Sequence, residues 1–134
     1  MGKELNVYVI DDDSMSVHVV KYAFKKINFP CEITSFPLAS EALEFLLNNP
    51  STIPDLILLD INMPIMNAWE FLDKYLENKL DERKTKLVIL STSVFDRDKD
   101  KVKYYPQVSE FFEKPLDIKK AQLLVDKYFT PTSK

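Results

Sequence analysis

Residues 56–59 read Leu-Ile-Leu-Leu, bounded on both sides by aspartate, Asp55 and Asp60. Successive side chains of a strand point to opposite faces, so a strand with one wet face alternates apolar and polar residues. The near-continuous apolar segment Asp55 to Leu59, too short for a helix of its own, fits a strand covered on both faces. Such strands occupy the middle of parallel sheets with helices on either side.

The rest of the chain agrees with that frame. Four further apolar runs flank this one: Leu5 to Ile10, Cys31 to Phe36, Leu87 to Leu90, and the weaker Val108 to Phe112, interrupted by Ser109 and Glu110. Between them lie segments of helical period. Ser14 to Ile27 aligns Val17, Val20, Phe24 and Ile27. Ser40 to Leu47 carries Ala42, Phe45 and Leu46, and Asn67 to Leu76 carries Trp69, Leu72 and Leu76. Asp96 to Tyr104 is short and highly charged, and Pro106 ends it near Tyr104. Asp117 is a good N-cap for a last helix with the stripe Ile118, Ala121, Leu124, Val125 and Tyr128. Strict alternation of strand and helix predicts an α/β fold, a parallel sheet with helices on both faces. Asn48 to Pro54, Asn78 to Lys86 and the tail from Thr130 read as loops, none long enough to link domains. The 134 residues therefore form one expected domain, 1–134, with its core at about 5–129.

Composition narrows the function classes. A net charge of -3, with lysines interspersed among acids, gives no basic face for nucleic acid. No apolar stretch reaches the roughly 18 residues needed to span a membrane. The N-terminal Met1-Gly2-Lys3-Glu4-Leu5-Asn6 fits neither a signal peptide nor a myristoylation pattern. One cysteine, Cys31, permits no internal disulfide and reads as a core thiol. These features lead us to expect a cytoplasmic protein.

Sites in open parallel sheets form beyond the carboxyl ends of the strands. There the first strand offers Asp11-Asp12-Asp13, the third Asp60, the fourth Ser91-Thr92-Ser93 and the fifth Glu113-Lys114-Pro115. Carboxylates gathered in one pocket repel each other, so one of them should hold its proton more tightly unless a cation is present. A hard divalent cation with oxygen ligands, of the Mg²⁺ type, meets that need and leaves room for phosphate oxygens. One His and one Cys in unrelated places argue against softer metals. A carboxylate can also attack phosphorus, with a metal, an ammonium and a hydroxyl neutralising the transferred oxygens.

The segment Asp55-Leu-Ile-Leu-Leu-Asp60-Ile-Asn-Met-Pro64 closely resembles the phosphoacceptor segment of bacterial response-regulator receiver domains. The acidic cluster, Ser91 and Lys114-Pro115 follow the same family's order and spacing, and the resemblance covers essentially the whole chain. It implies a flavodoxin-like, doubly wound, five-stranded parallel sheet of order 2-1-3-4-5 with five helices. By the same resemblance Asp60 is the phosphoacceptor, and Asp11 and Asp12 are the acidic pair, with Asp12 the more direct metal ligand. Asn62 would offer its backbone carbonyl to Mg²⁺ (or Mn²⁺). Ser91 would bond a phosphoryl oxygen, and Lys114 would pair with Asp60 and then its phosphate. The Lys114-Pro115 bond would be cis. Asp13 falls outside the metal shell. The implied partners are a histidine kinase or histidine phosphotransfer protein upstream and another protein downstream, with the chain a monomer or weak dimer. No enzymatic turnover is expected beyond self-phosphorylation and self-dephosphorylation.

The chain departs from the family in places. Ile65 and Ala68 stand where glycines are usual, and the only glycine is Gly2, which makes Asn67 the local candidate for a positive φ. Phe111 holds the place of the switch aromatic, with Phe112 and Phe95 as alternatives. His18 lies off the apolar face of its helix and reads as exposed, while Trp69, Tyr104 and Tyr105 read as packing residues. Two other readings stay open. Asp11-Asp12-Asp13-Ser14 also fits the Asp-x-Asp motif of haloacid-dehalogenase-like phosphatases, and the chain could be a receiver-like interaction module that is not phosphorylated.

Overall fold

The computed structural model describes residues 4–61, 66–92 and 100–129. Its elements run β1 (Leu5–Ile10), α1 (Ser14–Lys26), β2 (Cys31–Phe36), α2 (Ala39–Asn48), β3 (Leu56–Asp60), α3 (Ala68–Glu77), β4 (Lys86–Ser91), β5 (Val108–Glu113) and α4 (Ile118–Tyr128). The strands form one sheet of order β2-β1-β3-β4-β5 in which every neighbouring pair is parallel. This is the predicted doubly wound arrangement. Of the predicted fourth helix, residues 96–99 lie outside the described residues, and residues 100–102 are helical.

β3 is buried along its whole length, as its unbroken apolar run requires. Its residues alternate between two cores. Ile57 and Leu59 join Tyr8, Ile10 and Ile89 beneath Ala42, Leu46, Phe71 and Leu72 of α2 and α3. Leu56 and Leu58 join Val7, Val9, Val88 and Leu90 against Val20, Phe24, Ala121 and Leu124 of α1 and α4. Each fully buried side chain of this size contributes about 1.5–3 kcal/mol. An aspartate at position 58 would leave a charge between sheet and helices and break the layer.

Helix ends follow local chemistry. Asp13 caps α1 by accepting from the Met15 N–H, and Asp117 caps α4 by accepting from the Lys120 N–H, as expected of it. Asn67 does not take a positive φ. At φ -83° and ψ 177° it forms a reciprocal capping box with Glu70, because its side-chain oxygen is better used on an orphan N–H of the first turn. The left-handed positions among the described residues are Asn28, just after α1, and Lys79, just after α3.

Several helix faces are rotated from the predicted stripes. α3 buries Ala68, Phe71, Leu72 and Tyr75, with the Phe71 and Tyr75 rings 5.8 Å apart. These bulky rings take the sheet side and turn Leu76 outward, leaving Trp69 half-buried at the rim. α2 buries Ala39, Ala42, Leu43 and Leu46, while Phe45 lies at its edge against Tyr8 and Phe36. Ile118, in the first turn of α4, is exposed rather than part of the buried stripe. Tyr104 is 79% exposed, not packed. Tyr105 takes the inward place and lies against Trp69, ring centres 5.4 Å apart. Cys31 is half-buried against the α1 core, and burial pushes its thiol up. His18 is exposed, as predicted. The predicted loop after α3 contains a short 3₁₀ turn, Leu80–Glu82, which buries Leu80.

Candidate functional site

The parallel register brings the carboxyl ends of β1, β3, β4 and β5 to one rim. Asp11 follows β1, and its N–H donates to the Phe36 carbonyl at 3.0 Å, which fixes it between the tips of β1 and β2. Asp60 is the last residue of β3, and the next N–H, that of Ile61, donates to the Leu90 carbonyl at 3.0 Å. Ser91 ends β4 and is buried. Its carbonyl accepts from the Lys114 N–H at 2.7 Å, so β4 and β5 stay paired up to the site. The Lys114-Pro115 peptide is cis, as the resemblance implied.

The side chains converge. The Lys114 ammonium lies 2.8 Å from Asp11 Oδ2 and 3.1 Å from Asp60 Oδ1. Asp11 Oδ1 also accepts from the Asp13 N–H at 2.9 Å. Asp12 is exposed, yet one carboxylate oxygen from each of Asp11, Asp12 and Asp60 lies within 4.8 Å of the others. Asp13, by contrast, turns to its helix, accepting from the Met15 N–H at 3.0 Å and the Ser16 hydroxyl at 3.1 Å. Asn62 lies outside the described residues, as do Ser93, Phe95 and the Met63 to Ile65 segment.

Among the described residues, charge in this cluster is not balanced. One ammonium serves two buried carboxylates, with Asp12 close by. Burial and the Asp11 charge push the Asp60 carboxyl up to about 6, and Lys114 only partly opposes them. Burial alone would lower Lys114, but its bonds to Asp11 and Asp60 outweigh that and raise it. The raised carboxyl is the response expected of a carboxylate cluster lacking part of its compensation. Three oxygen ligands within reach, a surplus of negative charge and an open side at Asp12 fit a hard divalent cation. They offer nothing to a metal that prefers nitrogen or sulfur.

Lys120, absent from the residues singled out in the sequence, stands directly behind the lysine loop. Its ammonium donates to the Glu113 carbonyl at 2.6 Å and to the Pro115 carbonyl at 3.1 Å. Phe111 and Phe112 face opposite layers, Phe111 toward the α2/α3 core and Phe112 toward the α1/α4 core.

A family model described as the response regulator receiver domain matches residues 7–126. Among characterised proteins, the chain is 38% identical over 92 residues to the nitrate/nitrite response regulator protein NarL of Escherichia coli, covering 69% of this chain and 40% of that protein. It is 27% identical over 101 residues to the hybrid signal transduction histidine kinase D of Dictyostelium discoideum, covering 73% of this chain and 6% of that protein. Thus the chain spans well under half the length of either relative. A two-component response regulator from Cytophaga hutchinsonii superposes with a TM-score of 0.85 at 26% identity, covering 94% of this chain and 98% of that one. A two-component response regulator from Legionella pneumophila gives 0.80 at 26% identity, covering 93% and 98%.

Proposed function

The chain belongs to the response regulator receiver family, and from that premise we propose that it is a phosphorylation switch whose phosphoacceptor is Asp60. The observation that carries this reading is the shared ammonium. Lys114 is held by both Asp11 and Asp60, while Asp60 keeps an unusually high affinity for positive charge. A group so arranged is suited to receive charge-neutralising ligands and then a phosphoryl group.

In the proposed reaction a carboxylate oxygen of Asp60 forms a bond to the donor's phosphorus as the donor's own bond to phosphorus breaks. The electron pair of that broken bond leaves with the donor. Lys114 then follows the charge from carboxylate to phosphoryl oxygen, and the Ser91 hydroxyl donates to another of those oxygens. Asp11, Asp12 and Asp60, with the backbone carbonyl of Asn62, would hold Mg²⁺ (or Mn²⁺). The cation would neutralise charge on the transferred group. The aspartyl phosphate carries about -1.5 to -2 charge where the ionised carboxylate carried about -1, so the rim gains up to about one negative charge and two further acceptor oxygens. Ser91 and Lys114 are drawn toward it, which biases the β4 and β5 ends between two arrangements.

The donor in this reading is a histidine kinase or a histidine phosphotransfer protein, and the output is altered binding to another protein. Receivers are in general not turnover enzymes, and we assign this chain only self-phosphorylation and self-dephosphorylation. We read residues 1–134 as one domain working in the cytoplasm as a monomer or weak dimer. Among the described residues no helix is long and apolar enough to cross a membrane. The phosphatase alternative is not favoured: it needs the first and third aspartates of its motif at one centre, whereas Asp13 is engaged in capping α1.

The test is intact-protein mass after incubation with a small acyl-phosphate donor and Mg²⁺, beside an Asp60→Ala control. We expect a gain of one phosphoryl group that requires both Mg²⁺ and Asp60. No gain, together with no Mg²⁺ binding, would favour an unphosphorylated interaction module, and a gain that survives in Asp60→Ala would point to the Asp11 cluster.

A further inference from the structure

Lys114 must place its ammonium between two carboxylates, and that aim depends on the backbone of residues 113–115 at the tip of an edge strand. One side of this backbone is fixed by the bond from the Lys114 N–H to the Ser91 carbonyl, 2.7 Å. The carbonyls on either side of Lys114, those of Glu113 and Pro115, both accept from the Lys120 ammonium, at 2.6 and 3.1 Å. A single side chain from α4 thus grips the loop just before and just after the active lysine.

The placement of Lys120 is otherwise unfavourable. It occupies the first turn of α4, where the helix dipole disfavours a cation, and the nearest acidic residue on the helix is the N-cap Asp117. Its backbone is pinned there, since its N–H donates to Asp117 Oδ1 at 3.0 Å. The side chain turns back toward carbonyl oxygens that can offset the dipole.

We propose that Lys120 is a positioning residue for the phosphorylation reaction, clamping the carbonyls that flank Lys114 so that its ammonium stays aimed at Asp60. This rests on the phosphoacceptor reading above. The clamp touches neither the phosphoryl group nor the acidic cluster. It therefore acts on the saturated rate of phosphorylation rather than on Mg²⁺ binding.

The experiment compares wild type, Lys120→Met and Lys120→Arg with a small acyl-phosphate donor. It records the saturated phosphorylation rate, the donor concentration at half-saturation, Mg²⁺ affinity and the denaturation midpoint. Misplacing a reacting group by a fraction of an ångström costs roughly tenfold in rate. We expect about that loss in Lys120→Met, with Mg²⁺ affinity unchanged, and most of the rate restored in Lys120→Arg, which can still donate to both carbonyls. A wild-type rate in Lys120→Met, while wild type is loaded on Asp60, would overturn the clamp alone. Equal losses in Met and Arg variants that track a lowered denaturation midpoint would make Lys120 merely structural, and would also overturn it. A wild-type chain that gains no phosphoryl group would overturn both readings.

Discussion

Replacing Asp60 with asparagine should stabilise the metal-free protein. Asn keeps the shape of the neutral carboxyl and removes the ionised form that the site tolerates poorly. The Asp60 carboxyl moves from an ordinary 3.8 to about 6. Each unit is worth about 1.4 kcal/mol, so holding the ionised form in the folded protein costs roughly 3 kcal/mol relative to the unfolded chain. That shift is already net of the attraction to Lys114, so only the poorer fit of an amide beside the ammonium subtracts from the gain. A net gain of about 1–2 kcal/mol remains.

The sign follows from proton uptake. Between about pH 4 and pH 6 the folded wild type binds more protons than the unfolded chain, so its stability falls as pH rises through that window. The penalty is fully present above it. Urea denaturation at about pH 7.5 with a chelator should therefore give Asp60→Asn the higher midpoint at an unchanged slope. At about pH 4.5 the two proteins should draw together. Millimolar Mg²⁺ should narrow the gap at neutral pH by stabilising the wild type in preference. A variant no more stable than wild type in chelator at pH 7.5 would refute the claim that the Asp60 charge is undercompensated.

The same carboxyl must lose its proton to serve a cation, so Mg²⁺ affinity should weaken about tenfold per pH unit below about 6 and level off above it. Titration calorimetry at several pH values would reveal this, and a flat profile would count against Asp60 as a ligand. Away from the site, the Tyr8 hydroxyl is buried with no partner in hydrogen-bonding geometry among the described residues, and burial, only partly offset by Asn6, pushes the phenol up. Tyr8→Phe should be neutral or stabilising by up to about 1 kcal/mol in thermal denaturation, whereas a loss of that size would mean the hydroxyl has a bonding partner.

The strand tips were readable in advance because they obey short-range rules. Asp55 to Leu59 reads as a doubly covered strand, one residue ahead of the strand Leu56–Asp60, and Asp60 follows the apolar run at once, so its place at the rim comes with the strand. The acidic pair after β1 and the lysine after β5 are fixed in the same way. Helix faces were less readable. The period of α3 admits either Leu76 or Tyr75 on the sheet side, and only the volume to be filled beneath the helix selects Phe71 and Tyr75. Asn67 met a similar competition, in which a capping box with Glu70 outweighed its tolerance of positive φ.

Which residues reach the rim follows from local order along the chain, since periods of 2 and 3.6 and the capping signals act over a few neighbouring residues. Tertiary structure decided how their charges are shared. It buried Asp11 and Asp60 while leaving Asp12 open, made one Lys114 ammonium serve two carboxylates, and swung Lys120 onto the carbonyls beside that lysine. The physical reason is that electrostatic compensation depends on distance through space and on local dielectric. Asp11, Asp60 and Lys114 lie far apart along the chain and acquire both only when the sheet closes.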